Sequence, residues 1–443
     1  MQARSKFAHT TYSHSVFVSC ALICATEKGL SNLMRTIDFQ KEDLTEKEKR
    51  NINILDILRR QGPISRPDIS KELGVNVVTI SNYIDEFIKN SLVYEKELDV
   101  SEGGRRPTLL DLNPRAGYAV GIGLNLMNMV GLLIDLKGNI ITKTQVARPK
   151  ANVKEITECV LDICREILRR SKEYLPHIKG IGVGIAGLVN KKDGSIHWPQ
   201  KMDHYYTYAS VDLPLRELIE KEFNLPAVIE NDATSACFGE HWLDLDRALK
   251  NVIYMFSGVG CGIMINGEVY TGTNGYAGEV AIYNFKEQDL FNCEEGNGCF
   301  LKRWEVDLGI IDDVKSMLVQ DRDAAVRFFT ITSSTFDTMD LKSIFAAARA
   351  KDPVATNVLD KAAKRLGIKV AHMVNLFNPQ VVIIGGGLEE AGDQFLNKVT
   401  VTVKDWSFRE VTGDLKIAYS QLRENAVALG AASQVIQKIF ACI

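Results

Sequence analysis

The sequence has little of what marks a membrane, metal-clustered or disulfide-framed protein. No apolar run approaches the ~20 residues needed to span a bilayer. The longest, Val16–Ala25, follows Arg4 and Lys6 and faintly resembles the apolar segment of an export signal; the other reading is a start placed too early, with Met34 the true first residue. Neither charge sign dominates: 53 Lys and Arg stand against 56 Asp and Glu, a net charge of -3. That excludes a polycation coating nucleic acid, although a small nucleic-acid module leaves only a local footprint. The seven histidines (His9, His14, His177, His197, His204, His241, His372) form no metal-binding spacing. The nine cysteines (Cys20, Cys24, Cys159, Cys164, Cys237, Cys261, Cys293, Cys299, Cys442) are odd in number and scattered. Such a set suits free thiols in a reducing, cytoplasmic compartment. An apolar fraction of 46% and a charged fraction of 25% exclude disorder, collagen and coiled coil. At 443 residues the chain has room for two to three domains.

What is present begins after residue 45, with 1–45 read as an extension. Ile52, Leu55 and Leu58 recur at helical spacing within Glu48–Arg60, and Gly62-Pro63 stops that helix. Ser65, with Pro67 and Asp68 following, opens a second helix ending at Gly74. Asn76 caps a third, Val77 to Asn90, with Ile80, Ile84, Phe87 and Ile88 inward. Leu92–Tyr94 and Thr108–Leu112 read as strands flanking a Gly-rich tip. Three helices and a two-stranded wing over residues 46–112 describe a winged helix-turn-helix. In that motif the third helix enters the major groove by its N-terminal end. Its outward residues are Val77, Val78, Thr79, Ser81, Asn82 and Tyr83, beside the cap Asn76. Asn82 suits bidentate reading of adenine, and Val78 or Thr79 a thymine methyl. Arg66 stands where a phosphate contact is expected, and the wing offers Arg105 and Arg106 to a narrow minor groove. From Lys47 to Leu110 there are 11 basic and 10 acidic side chains, so DNA binding must rest on dimerisation and a local patch: Arg59, Arg60, Arg66, Lys71, Arg105 and Arg106. The other reading is a winged helix used only for protein contacts.

Residues 113–443 repeat an order of elements. Tyr118–Asn125, Met129–Asp135 and Ile140–Val146 read as strands, Val153–Ser171 as a helix and Gly180–Gly187 as a buried strand. Asn251–Ser257, Gly262–Asn266 and Glu268–Tyr270, then a helical region and Gln380–Ile384, repeat that β-β-β-α-β order. Two such lobes describe an α/β protein of actin-like ATPase and sugar-kinase (ribonuclease H-like) fold. Ligands there bind in the cleft between lobes.

Several segments in order and spacing carry a family resemblance: Gly103-Gly-Arg-Arg-Pro107 with Asn113–Gly121; Glu230-Asn-Asp232; Gly272–Glu279; and Asn375–Gly387. Over residues 48–443 the chain resembles the regulator branch of the ROK family (repressors, open reading frames, sugar kinases). The resemblance implies a repressor of the xylose or N-acetylglucosamine type. The family's kinases end their first strand in an Asp-x-Gly-Gly-Thr-like turn that cradles ATP phosphates. Here Gly123 replaces the Asp, and Asn125 and Leu126 replace the glycines. The loops Ser257–Gly262 and Gly385–Gly387 are intact, which tight turns also require. The resemblance places Ala186, Gly187, Asn231, Asp232 and Glu279 in a sugar site, Asp232 being where kinases keep their base; Asp232 also reads as the cap of a helix Ala233–Trp242. Two polar family positions fall on Ile282 and Leu301, which implies an altered saccharide or a cleft that binds nothing. The family's zinc motif, His-x9-Cys-x-Cys-x4-Cys, falls on Ile282, Asn292, Glu294 and Cys299, with Cys293 one residue out of register. One or two thiolates do not close a tetrahedral site. An apolar patch of Ile282, Phe285, Phe291, Phe300 and Leu301 would take its place, with Cys293, Cys299 and an outside ligand the alternative.

The expectation is therefore a DNA-binding, saccharide-responsive transcriptional regulator, more readily a repressor, without catalytic activity, cofactor, metal or membrane contact. It acts as a homodimer or homotetramer on a double-stranded, pseudo-palindromic operator. The rivals are an ATP-dependent sugar kinase carrying a DNA module, and a regulator whose cleft takes a phosphotransfer protein or nothing.

Overall fold

The computed structural model describes residues 44–96, 108–149, 153–201, 208–257, 260–280 and 308–442. Phe39–Ile443 make one compact unit. The chain enters it through α1 (Glu46–Gln61), opened by a capping box: the Thr45 hydroxyl accepts from Glu48 N, and the Glu48 carboxylate accepts from Thr45 N at 2.6 Å. Ile52, Leu55 and Leu58 are buried as their spacing predicts, but so are Asn51, Ile54, Asp56 and Ile57. The helix is covered on two sides, because a second part of the protein packs on the face the sequence left to solvent.

A short strand the sequence reading lacked, β1 (Ile64–Ser65), leads into α2 (Arg66–Leu73). The Ser65 hydroxyl accepts from Asp68 N at 3.3 Å, and Gly74, at φ +63°, turns the chain out of the helix. The Asn76 side chain accepts from Val78 N at 2.8 Å and starts α3 (Val77–Lys89). Ile80, Ile84 and Phe87 are buried; Ile88 is half-buried. β2 (Val93–Lys96) and β3 (Leu109–Leu112) pair antiparallel, and β3 also pairs with β1. Three helices with a three-stranded sheet ordered β1-β3-β2 have the build of a winged helix-turn-helix. The wing tip with Arg105 and Arg106 lies outside the described residues.

The rest is two lobes on one plan. The first holds β4 (Tyr118–Leu124), β5 (Asn128–Asp135), β6 (Ile140–Ala147), α4 (Val153–Arg170) and β7 (Ile178–Ile185). There follow β8 (Leu188–Val189), β9 (Ile196–Lys201) and β10 (Tyr208–Leu213), a small separate sheet, and then α5 (Leu215–Phe223) and β11 (Ala227–Asn231). The main sheet runs β11-β7-β4-β5-β6, with β4, β7 and β11 parallel. β4 and β5 are buried throughout, which explains their unbroken apolar runs. α6 (Asp232–Leu243) crosses to the second lobe.

That lobe contains β12 (Val252–Phe256), β13 (Gly260–Ile265) and β14 (Glu268–Val269), then α7 (Ile310–Gln320), α8 (Arg322–Thr332), α9 (Leu341–Arg349), α10 (Pro353–Phe377) and β15 (Val381–Gly385). α11 (Asp393–Trp406), α12 (Arg409–Thr412) and β16 (Lys416–Tyr419) complete it, and α13 (Ala426–Ala441) returns to pack on β4 and β7 of the first lobe, where Gly121 and Gly182 let it come close. Its sheet, β14-β13-β12-β15-β16, has the first lobe's order, β12 standing for β4 and β16 for β11. The duplicated β-β-β-α-β plan is present as its element order predicts. Among the described residues no helix is long and apolar enough to cross a membrane.

Candidate functional site

The cleft between the lobes is built where β4, β7 and β11 end. Asn231, the last residue of β11, turns the chain into α6: its Oδ1 accepts from Ala233 N at 2.9 Å and Thr234 N at 3.2 Å, and its Nδ2 donates to Gly187 O at 3.3 Å. The helix cap is therefore Asn231, not Asp232. Asp232 is the first helical residue, 5% exposed, and its Oδ1 accepts from Ala233 N at 2.8 Å. Burial pushes its carboxyl up to about 6, opposed by that N–H and by the charge of Arg148. Glu279 is held beside β13 by a bridge to Gly260. It is exposed on the cleft wall, yet desolvation by the surrounding protein and the charge of Asp232 push it up to about 7. Ala186 is half-buried and Gly187 buried at the end of β7. Behind this rim, Glu230 is buried and ion-paired with Lys191, and Gln434 donates to it at 3.3 Å.

Arg148 escaped the sequence reading. It follows β6, whose end lies beside the β4–β5 turn because Ala147 pairs with Asn128. It donates through Nη1 to Asn125 O at 2.5 Å, and burial lowers its pKa while Asp232 raises it. Only the register of the hairpin brings this arginine to the cleft, so the topology rather than any motif was the signal for it.

The turn Asn125–Met127 occupies the position expected of the phosphate cradle. Asn125 Nδ2 donates to Asn128 Oδ1 at 3.0 Å and to Glu424 O at 2.8 Å. Leu126 N donates across the cleft to Gly386 O at 3.3 Å. The Leu126 side chain is buried in one apolar cluster with Met255, Ile384 and Leu388 of the second lobe. A Cβ on Gly387 would lie 3.3 Å from Leu126 Cβ. Gly123 has no room for the aspartate its position would otherwise carry: a Cβ there would meet Ala428 N at 2.5 Å. Opposite, Ser257 donates to Gly386 O at 3.2 Å. The Leu126 side chain and backbone thus lie against the Gly385–Gly387 loop. Gly258 and Val259, and the whole region of Ile282, Phe285, Phe291, Asn292, Cys293, Glu294, Cys299, Phe300 and Leu301, lie outside the described residues. Among the described residues no group of three His, Cys, Asp or Glu is placed to hold a metal ion.

At the other end of the molecule, α3 presents Asn76, Val77, Val78 and Asn82 exposed and Thr79, Ser81 and Tyr83 half-exposed. Ser81 bonds back to Val77 O at 2.9 Å, and Arg50 lies over the Tyr83 ring at 6.0 Å. Arg66 is held by Asp85 at 3.1 Å and Glu95 at 3.2 Å, so a phosphate must displace those carboxylates. One member of the expected basic patch is corrected. The Arg59 side chain is buried, paired with Asp56 and donating to Trp242 O, so it serves a contact within the protein where α1 meets α6. Arg60 is exposed and, like Arg66, held by carboxylates, those of Asp56 and Glu72.

The sequence model of the ROK family matches residues 118–438. The xylose repressor of Caldicellulosiruptor bescii is 31% identical over 377 residues, 84% of this chain and 92% of that protein. The DNA-binding transcriptional dual regulator NagC of Escherichia coli is 24% identical over 388 residues, 87% of this chain and 91% of that protein. Among solved structures, a ROK family transcriptional regulator, homolog of the E. coli Mlc protein, superposes with a TM-score of 0.66 at 24% identity, over 89% of this chain and 97% of its own. A ROK family glucokinase from Streptomyces griseus, in complex with glucose and AMPPNP, gives a TM-score of 0.59 at 23% identity, over 72% of this chain and 98% of its own.

Proposed function

The chain belongs to the ROK family, and from that membership we propose that it is a saccharide-responsive, DNA-binding transcriptional repressor whose kinase-like lobes serve as a sensor without phosphoryl transfer. The observation that carries the reading is Leu126. Phosphoryl transfer needs backbone amides and a metal around the ATP phosphates. Here the turn at that family position carries an apolar side chain packed into the second lobe, its backbone bonded to Gly386 O, which supports a cleft without phosphate binding. The polar rim beside it, Asn231, Asp232, Glu279 and the Gly187 carbonyl, offers donors and acceptors suited to sugar hydroxyls. Arg148 joins this rim as a charge partner of Asp232. The exposed, small and polar face of α3 is suited to a major groove, with Asn82 reading a base and Val78 a thymine methyl. A symmetric dimer or tetramer would read a pseudo-palindromic operator. Arg105 and Arg106 would add minor-groove contacts.

A kinase reading keeps one observation in its favour: Asp232 lies near 6, a value that suits a general base. One pair of measurements tests both. Duplexes selected from a random-sequence pool should bind the full chain, and D-xylose or N-acetyl-D-glucosamine should change that affinity by at least ~5-fold. The same sugars with ATP and magnesium should give no sugar phosphate. Phosphorylation at ordinary enzymatic turnover, or indifference to duplex DNA with and without sugar, overturns the proposal.

A further inference from the structure

Among the described residues, α6 touches both lobes, α13 and α1. Asn231 and Asp232 at its start lie in the cleft, and Ala233, Ala236 and Cys237 pack with β12 and β13 of the second lobe. Glu240 accepts from Ser420 Oγ and, at 3.1 Å, from Leu422 N beyond β16. The final turn meets α1. Trp242 is 4% exposed, stacked on Phe238 at 5.4 Å and held between two guanidinium groups, Arg59 and Arg247, each 5.0 Å from its ring centroid. Arg59 also donates to Trp242 O, at the negative end of the helix. Asp56 of α1 gathers Arg59 at 2.8 Å, Arg60 at 3.0 Å and Arg247 at 2.9 Å. His241 Nδ1 faces Arg247 Nη1 at 2.9 Å and, since the guanidinium only donates, accepts that bond.

Two features make the helix a rigid transmitter. It is buried on all sides, eleven of its twelve residues being inaccessible, so it has no free face on which to slide. It crosses α13 in near-contact: a Cβ on Gly430 would lie 1.8 Å from Ser235 O. α13 therefore moves with it, and α13 also ends on α1, where Ala441 O accepts from Asn51 Nδ2 at 3.3 Å.

We propose that α6 is the coupling element between effector and operator: its first turn senses the saccharide, and its last turn, through Trp242 and the Arg247–Asp56 pair, sets the position of the DNA-reading module. Twelve residues at ~1.5 Å each carry the signal across ~18 Å. Arg247, Asp56 and Trp242 are positioning residues that touch neither ligand. This rests on the functional reading above. It adds a specific prediction, because a second ion pair joins the same two parts without α6: Lys137, after β5, to Asp111 of β3 at 2.7 Å.

Arg247→Met removes the charge and keeps an unbranched apolar side chain; Lys137→Met is its matched control. In the full chain, D-xylose and N-acetyl-D-glucosamine binding is followed by calorimetry, and affinity for the selected duplex is measured with and without sugar. The wild type and Lys137→Met should both show the sugar-induced change. Arg247→Met should bind sugar within about twofold of wild type yet lose most of that change, to under about twofold. Hydrogen exchange in the wild type supplies a readout that needs no variant: sugar should alter protection at both 231–243 and 51–60. A full response in Arg247→Met, equal loss in Lys137→Met, or altered exchange in α6 with none in α1 overturns the coupling role. A wild type that binds DNA but never responds to sugar overturns the functional reading itself and the coupling with it.

Discussion

Replacing Asp232 by Asn should stabilise this protein at alkaline pH while abolishing its response to saccharide. The carboxyl is 5% exposed, and burial raises it from the ordinary 3.8 to about 6, even with the Ala233 N–H and Arg148 pulling it down. A folded-state value above the unfolded one means the folded protein holds the proton longer, so ionisation is disfavoured by folding. A difference of about 2 pH units corresponds to about 3 kcal/mol. The penalty is absent below about pH 4, grows as pH rises to about 6, and is constant above. Asn cannot ionise, yet keeps the oxygen that accepts from Ala233 N. The variant should therefore gain up to about 3 kcal/mol at pH near 8 and almost nothing at pH near 4. The neighbour facing it, Glu279, is raised partly by the charge of Asp232 and should relax downward in the variant. Urea denaturation of both proteins across that pH range reads the difference. Equal or lower stability of Asp232→Asn at pH near 8, or the same gain at both ends, would refute the reasoning. A sugar response surviving in the variant would remove Asp232 from the effector site.

Leu126→Ala should cost ~2–5 kcal/mol in the same denaturation, because the side chain is 8% exposed within the second lobe's apolar cluster, and should not create phosphoryl transfer. Stability within about 0.5 kcal/mol of wild type would show that the turn does not fill the cleft. Asn82→Ala should leave overall DNA affinity within an order of magnitude but broaden the selected sequences at one position, a loss of ~1–3 kcal/mol of base discrimination. Gly430→Ala should destabilise by ~1–3 kcal/mol, since the added methyl meets Ser235 O, and a melt unchanged from wild type would contradict the close helix crossing.

Local chemistry made the three N-terminal helices legible. Ser65 with Asp68, and Asn76 before Val77, are capping signals that act within three residues, and each forms the hydrogen bond its type predicts; the Thr45–Glu48 box, which starts α1 two residues earlier than its apolar spacing suggests, went unread. The two lobes were legible for a similar reason: unbroken apolar runs such as Tyr118–Leu124 and Asn128–Asp135 mark strands buried on both faces. The small strands β1 and β8–β10 and the cap at Asn231 were not legible, for short strands carry little periodicity and two adjacent polar residues compete for one cap. Asn231, Asp232 and Glu279 were readable from family resemblance, and Leu126 from its break in the phosphate-binding pattern.

The amino-acid sequence alone determined which elements form, that there are two like lobes behind a small module of three helices, and that the turn after β4 carries Asn125 and Leu126 in place of glycines. Those follow from spacing, capping and side-chain type, which act over a few residues. Tertiary structure alone decided that Leu126 packs into the second lobe, that Arg148 comes near Asp232, and that Arg59 serves an internal contact. It also decided that α6 runs from Asn231 to α1. Each of these depends on which distant segment packs against which. A guanidinium 183 residues away from the Trp242 carbonyl leaves no mark in the local pattern at either end.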